Sequence, residues 1–550
     1  PAKAPAPAPA PAPAKTRAKT ESATPVLGQY GPPGRLGLVA LIFALVSGLI
    51  THGYHLFDYP LYSTDEGIYL ERSWAVLREG RLSPQTYYYD HAPAGWLLIA
   101  AWEFLLPSHY ETFGNPVNSG RVLMVILHLA SVYFLFQIAR KFSRGLVAPV
   151  IATFLFNFSP LAIYYQRMVL LDNIMVFWVL LSVYLLLRRE IRLFTGLWSG
   201  LAFGVSVITK ENAIFFAPTI FYLINRRTKN NPNRRFALAF WLFASSAPIL
   251  AYFLYATLKG ELMPPGISFD LHHTPQGHVS LLYELWYQIH RNQGTLFARG
   301  SFLYTMWLPK DSFLLEAGSA AMVVGILLGW RERERNPALL VAGTLAFEIA
   351  FYLARGSVIL DFYVIPLIPL FALNIGLVAD RMMKRIPKPV RMAMIATFCA
   401  ALLVLPEGGY FLVHGQKKGQ LQAADVYYLP LTYLQQEQIA WIRHNIPPDD
   451  KIVSDDDIWV ALHDIRPYYP YDQSHWNAAT DPQVRNRIFH GNWQNIDYIV
   501  LSNGMEAAMK INNNDTGGQE AYILTALAHS TQVWHASRGN VSLYIYRVNK

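Results

Sequence analysis

Eleven apolar stretches recur along the chain, at about 37–56, 119–140, 146–164, 168–187, 194–209, 211–225, 236–258, 313–330, 337–354, 358–379 and 391–412. So many runs of this length cannot all be hidden inside one soluble core. The hydrocarbon layer of a bilayer is about 30 Å thick and takes about 20 apolar residues of helix, so the runs read as membrane spans. The pair 194–209 and 211–225 is short for that purpose. Composition agrees: 53% of the 550 residues are hydrophobic, 15% are charged and mean hydropathy is +0.21, against about 25% charge in an ordinary soluble domain. The expected fold class is an α-helical polytopic membrane protein of about 11 transmembrane helices with a C-terminal soluble α/β domain.

The loops supply the orientation. With the N-terminus inside, the loops near 140–144, 188–192, 226–235, 331–335 and 381–391 are cytoplasmic, and each is crowded with Lys and Arg, as the positive-inside rule requires. Residues 94–106 (AGWLLIAAWEFLL) are too short to span, and counting them would put every basic cluster outside. They are expected as an interfacial or re-entrant helix within a first external loop, 57–118, with a second external loop at 259–312. Residues 1–30 begin with alternating Pro and Ala and carry several Lys and Arg, which predicts a disordered cytoplasmic tail before an uncleaved anchor. The catalytic transmembrane domain is then 31–412.

Eleven spans leave 413–550 outside as a separate domain, which holds eleven Lys/Arg and fourteen Asp/Glu, net −3, leaving +12 for the rest. Alternating patterns predict strands near 451–457, 495–502, 531–537 and 541–548, and helices near 435–450 and 521–530. The basic excess sits in short loops between spans, so nucleic acid is not an expected partner. The single cysteine, Cys399, excludes an intrachain disulfide and a cysteine metal cage.

Several ionisable residues stand out against this background. Asp65 and Glu66 follow the first span. Two adjacent carboxylates, partly desolvated, raise a pKa and make a general base; the same residues also suit a helix N-terminus. Asp90 and His91, in YYYDHAPAGW, suit a cation or a phosphate, or an ordinary aromatic loop at headgroup level. Arg167, Asp172, Lys210, Glu211, Arg355 and Asp361 lie near span ends, where a charge is costly at depth but tolerated by snorkelling. All ten map to one side of the membrane, which suggests a water-filled cavity for a charged headgroup. His272, His273 and His278 have no HExxH spacing, and Asp455–Asp457 read as a solvated loop. A transporter would also bury charge, but would show internal repeats, and none is evident. A scaffold would not need the charges on one side.

The order of these pieces resembles the GT-C membrane glycosyltransferases, in particular the branch of protein O-mannosyltransferases and the lipid A aminoarabinose transferase (family 39 or 83 type). The resemblance rests on Asp65–Glu66 after the first span, Asp90, His91 and Pro93 later in the same loop, Arg167 and Asp172 at a middle span, Lys210, and RGSVILDFYVIPLIP with Arg355, Tyr363 and Pro366. Ala92 stands where the pattern has a second proline, and Asp361–Phe362 precede Tyr363 in place of Arg-Tyr. The resemblance implies an inverting enzyme that takes a polyprenyl-phosphate sugar from the bilayer. It implies Asp65 as base with Glu66 beside it, and His91, Arg167, Lys210, Arg355 and Tyr363 around the donor phosphate. Asp90, Asp172 and Glu211 would line the cavity. A divalent cation near Asp65, Asp90 or His272 is compatible with it, as is a bacterial inner membrane.

Overall fold

The computed structural model describes residues 34–143, 145–188, 193–229, 231–267, 269, 278–290, 295–334, 336–356, 359–404, 431–464, 469–502, 504–515, 517–539 and 541–550. The expected disordered tail 1–30 and His272 with His273 lie outside them.

Each expected apolar stretch carries a helix. They are α1 (Arg35–Gly53), α4 (Pro116–Phe142), α5 (Val147–Phe158) with α6 (Pro160–Tyr165), α7 (Leu171–Leu186), α8 (Leu193–Val207), α9 (Ala217–Arg227), α10 (Arg234–Leu258), α12 (Leu308–Glu332), α13 (Ala338–Leu353), α14 (Leu367–Met382) and α15 (Lys388–Val404). Five helical segments among the described residues are long and apolar enough to cross a membrane by length and composition; α5, α7, α8 and α13 are shorter. The 146–164 run is not one helix. Pro160 lacks an N–H and Ser159 Oγ accepts from Ala162 N–H, so the chain stops at Phe158 and restarts as α6. Within the two loops expected to be external lie α2 (Thr64–Glu79), α3 (Ala94–Leu105) and α11 (Leu281–His290). At 12 residues α3 stays a separate short helix.

Where α8 crosses α10, glycines replace side chains. Gly196, Gly200 and Gly204 repeat every four residues, and a Cβ at Gly200 or Gly204 would stand 2.4 Å from the carbonyl oxygen of Trp241 or Ser245. A stripe of small residues of this kind lets backbones approach inside a membrane.

The C-terminal unit contains α16 (Thr432–Asn445), α17 (Asp456–His463), α18 (His475–Thr480), α19 (Met505–Asp515) and α20 (Ala521–Ala528). Its five-stranded sheet is formed by β1 (Ile452–Ser454), β2 (Asp472–Ser474), β3 (Tyr498–Leu501), β4 (Ser530–Arg538) and β5 (Val541–Val548), in the order β2-β1-β3-β5-β4. β2, β1 and β3 run parallel; β5 and β4 are antiparallel to their neighbours. The short β2 (Asp-Gln-Ser) carries no alternation and is absent from the sequence-based reading.

This unit is docked on α2. Trp459 and Val460 of α17 belong to the same buried core as the membrane helices. The Trp74 and Trp459 rings meet edge to face at 5.1 Å, and Arg78 pairs with Asp464 at 2.7 Å. Gln435 accepts from Tyr62 N–H at 2.8 Å and donates back to the Tyr62 carbonyl at 3.0 Å. Gly67 marks the closest approach: a Cβ there would stand 2.1 Å from the Asp456 carbonyl oxygen. The expected solvated loop at Asp455–Asp457 is therefore corrected. All three are buried, because Asp455 caps α17 and the helix start is pressed against α2.

Candidate active site

α2 organises the site because a helix turns 100° per residue and presents three faces. Ser63 begins it with a capping box whose partner is Glu66. One face carries Glu66 and Leu70 into the core, a second carries Asp65 and Tyr69, and a third carries Thr64, Ile68 and Glu71.

Glu66 was expected to be catalytic, but its oxygens are fully occupied. They accept from Arg121 Nε at 3.0 Å and Nη2 at 2.8 Å, from Val169 N–H at 2.9 Å and from Ser63 N–H at 3.2 Å. With both partners wholly buried, this carboxylate is a structural post that ties α2 to α4 and to the segment before α7.

Asp65, one residue earlier, points elsewhere and keeps part of its surface open. Burial pushes its carboxyl up to about 6; Lys210 and His91 oppose that shift, and Asp361 and Asp172 add to it. These five groups therefore share one electrostatic neighbourhood. Tyr69, one turn on, is fully buried, and its hydroxyl has no hydrogen-bond partner among the described residues. Burial holds that phenol well above its ordinary range, so it stays protonated, with Asp65, Asp172 and Tyr363 close by. Sequence reasoning missed Tyr69; the signal was its position four residues after Asp65.

Lys210 sits in the break between α8 and the short 3-10 turn Glu211–Phe216, in extended conformation. Its ammonium pairs with Asp172 at the start of α7 and lies 4.6 Å from the Tyr363 ring centre and 4.8 Å from that of Phe362. The same break holds the Asp90–Pro93 loop. Glu211 accepts from Ala92 N–H at 2.6 Å and stands 3.4 Å from His91 Nδ1, and Ala94 N–H donates to Ile208 carbonyl at 3.0 Å. The hydroxyl of Tyr87 donates to the His91 carbonyl at 2.9 Å. Asp90 is paired with Arg72 at 2.9 Å, and Arg72 lies over Trp96. Asp361 accepts from the Tyr165 hydroxyl at 3.0 Å.

The arginines divide. Arg167, expected at the donor phosphate, is used on the chain itself. Its guanidinium donates to the carbonyls of Thr51 at 2.8 Å and Tyr54 at 3.2 Å, and stacks on Tyr59. It thus satisfies the last carbonyls of α1, where a cation also meets the negative end of the helix. Arg355 stacks on Tyr352 at 3.6 Å and donates to that residue's carbonyl at 2.8 Å. It has no carboxylate partner among the described residues. Lys310, which the sequence reading passed over, lies 4.8 Å from the Tyr164 ring centre, with Asp361 in electrostatic range.

Among the described residues no group of three or more His, Cys, Asp or Glu side chains is placed to hold a metal ion. Of the expected metal residues, Asp90 is taken up by Arg72 and His272 lies outside the described residues.

Residues 97–252 match the family model described as dolichyl-phosphate-mannose-protein mannosyltransferase. No curated protein sequence matches. Among solved structures, ArnT from Cupriavidus metallidurans bound to undecaprenyl phosphate is similar, with 15% identity and a TM-score of 0.57 over 93% of this chain and 98% of that one. The Archaeoglobus fulgidus oligosaccharyltransferase tethered to an acceptor peptide is similar at 12% identity and a TM-score of 0.53, over 94% of this chain and 74% of that one. At such identities the likeness is one of fold. It bears out the GT-C membrane fold expected from the sequence, and the family match over 97–252 agrees with the mannosyltransferase resemblance.

Proposed function

We propose that this GT-C glycosyltransferase moves a sugar from a polyprenyl-phosphate donor to a hydroxyl acceptor at the external face of the membrane, with Asp65 as general base. The observation that carries this reading is the contrast between two neighbours on α2. Glu66 is consumed by Arg121, while Asp65 is part-open, has its carboxyl pushed up to about 6 by burial and shares its surroundings with Lys210, His91 and Tyr69. A base poised near the working pH is the most efficient proton acceptor.

In the proposed step Asp65 takes the acceptor proton as its oxygen attacks the anomeric carbon. The C–O bond to phosphate breaks, and polyprenyl phosphate leaves with the electron pair. One displacement inverts the configuration. Lys210, held by Asp172, and Arg355 stabilise the charge that grows on the leaving phosphate. The Tyr69 hydroxyl, without a hydrogen-bond partner among the described residues, and the hydroxyl of Tyr363 are further donors there. His91 is oriented from behind by Glu211. Glu66 and Arg167 act only as posts that hold α2 and α1.

The fold likeness to a protein crystallised with undecaprenyl phosphate supports a lipid-phosphate donor. The basic loops and the apolar helices support an inner or plasma membrane with a cytoplasmic N-terminus and an external C-terminal domain. A divalent cation beside Asp65 and Asp90 is part of what the assay decides.

The test is release of polyprenyl phosphate by purified protein, wild type against Asp65→Asn, over a panel of polyprenyl-phosphate sugars with and without EDTA. Turnover by wild type that Asp65→Asn lowers by 10²-fold or more, in folded protein, is the expected result. Equal release by the two proteins removes Asp65 from the chemistry.

A further inference from the structure

Three helices that begin at the site end together on its far side. α4 carries Arg121, the partner of Glu66, near its start; α7 opens with Asp172; α9 follows the turn that opens with Glu211. At their other ends stand Lys141 in α4, Arg188 just past α7 and Arg227 in α9. At 1.5 Å per residue the length of α7 is about 24 Å, close to the ~30 Å of a hydrocarbon layer. The basic ends therefore lie at the headgroup level of the leaflet opposite the site.

Lys141 is placed unlike an ordinary loop cation. It is 8% exposed, and it forms no hydrogen bond or ion pair among the described residues. The charges that act on its ammonium are those of Arg140, Arg227 and Arg188, all of its own sign. Arg227 donates to the Leu186 carbonyl at 3.0 Å and to the Arg188 carbonyl, which closes the end of α7. Arg140 donates to Gln137 at 3.3 Å. The positive-inside bias puts cations in loops where water solvates them. It does not account for an ammonium enclosed among three other cations, because a buried charge needs a partner. Glu190, the one acid of residues 188–193, lies outside the described residues.

A phosphate diester supplies what is missing: a negative charge, and oxygens that accept from ammonium and guanidinium at once. Basic recesses between helix ends on this side of a membrane suit such headgroups. An apolar surface adjoins them in the chain. Six residues beyond Arg188, α8 presents Phe194 and, one turn on, Trp198, 69% and 56% exposed. Acyl chains would cover these rings; a free anion would not.

We infer that the junction of α4, α7 and α9 binds the phosphate headgroup of an anionic phospholipid, with Lys141 as its central contact and the acyl chains along the Phe194–Trp198 face of α8. This place is at the opposite ends of the helices from Asp65 and Lys210. It rests on the membrane placement of the helices and not on the reading of Asp65 as base.

The experiment titrates the full chain in detergent with phosphatidylglycerol or phosphatidylcholine of the same acyl chains and counts retained lipid by native mass spectrometry. The expected result is at least a tenfold preference for phosphatidylglycerol. Lys141→Met should bring it to near parity in protein that still unfolds cooperatively, and Lys141→Arg should keep it. Arg331→Gln, which removes an exposed cation from another basic loop, should also keep it. Equal retention of the two lipids overturns the inference, as does a preference that survives Lys141→Met. A preference that Arg331→Gln lowers as much as Lys141→Met does would reduce the effect to diffuse surface charge and overturns it too. Displacement of the lipid by an equal concentration of inorganic phosphate would assign the place to a free anion and overturn the headgroup. A preference absent from wild type and created by Glu190→Gln would make that acid the occupant.

Discussion

The guanidinium of Arg121 holds the Glu66 carboxylate with two parallel bonds, Nε to Oε1 at 3.0 Å and Nη2 to Oε2 at 2.8 Å, both side chains being fully enclosed. Removing one partner strands a buried charge, which costs about 3–5 kcal/mol. Glu66→Gln and Arg121→Met are therefore expected to lower the midpoint of thermal unfolding sharply. Any activity loss should follow the loss of folded protein. Asp65→Asn should do the reverse, abolishing sugar transfer in protein that unfolds no earlier than wild type. Unfolding monitored alongside release of polyprenyl phosphate separates the two; a stable, inactive Glu66→Gln protein would restore Glu66 to the chemistry.

Burial raises the Asp65 carboxyl from 3.8 to about 6, and this has two consequences of opposite sign. As a base it works only when ionised, so kcat/KM should rise tenfold per pH unit below about 6 and level off above it. As a buried group it binds its proton more tightly in the folded than in the unfolded protein. Its stabilising contribution is then full below the ordinary carboxylate range and is lost as pH rises through about 6, by at most ~3 kcal/mol. Asn carries no such dependence. The difference in stability between Asp65→Asn and wild type should grow in favour of the variant between pH 4 and 7. A flat difference over that range would mean that Asp65 is solvated.

Lys210 meets Asp172 in a pair that is almost wholly buried, beside the Tyr363 ring. The ammonium is expected to stabilise the leaving phosphate, an effect worth 10²–10³ in rate for one well-placed donor. Lys210→Met should therefore lower kcat with donor KM little changed and leave Asp172 unpaired. The double variant Lys210→Met/Asp172→Leu should regain stability and not activity. A double variant that recovers turnover would show the pair to be purely structural.

Two arginines that look alike in sequence differ in what they touch. Arg167 is spent on the carbonyls of Thr51 and Tyr54, and each charged hydrogen bond of this kind is worth about 1.5–3 kcal/mol. Arg355 stacks on Tyr352 and has no carboxylate partner among the described residues. Arg167→Met should lower stability while its folded fraction keeps the wild-type donor KM. Arg355→Ala should lower kcat and kcat/KM for the donor with little change in unfolding. A donor-titrated comparison of the two variants checks this; the opposite pattern would exchange their roles.

This division marks the limit of what the sequence makes legible. The helices around 119–140 and 236–258 follow from apolar length alone, and the basic loops fix their alternation, because both are local properties. The gathering of Asp65, Asp172, Lys210 and Asp361 was visible only as a shared side of the membrane. Which of them is open depends on partners far along the chain. Glu66 is claimed by Arg121 from an apolar span, and Arg167 by the last turn of α1, and neither pairing has a local signature. The run Asp455–Asp457 looked solvated because acidic triplets usually are; its burial comes from a glycine nearly 400 residues away. The repeat Gly196, Gly200, Gly204, where α8 meets α10, has a regular spacing that the sequence reading above did not use.

That distant glycine gives the last test. At Gly67 a Cβ would lie 2.1 Å from the Asp456 carbonyl oxygen and 2.5 Å from the Asp457 nitrogen, both backbone atoms that no rotamer change can move. Gly67→Ala must therefore lift α17 from α2 by several tenths of an ångström at least, and Gly67→Val by more. The ion pair of Arg78 with Asp464 and the edge-to-face contact of Trp74 with Trp459 lie along the same contact and should loosen with it. Asp65, one helical face away, keeps its own surroundings. The expected outcome is a protein whose membrane domain unfolds as in wild type but whose C-terminal unit is cut faster by protease. Its turnover with acceptor should fall while slow hydrolysis of the donor by water persists. Proteolysis and the two rates, measured on one preparation, decide the matter. Wild-type protection together with wild-type transfer would mean that the contact at Gly67 does not carry the docking.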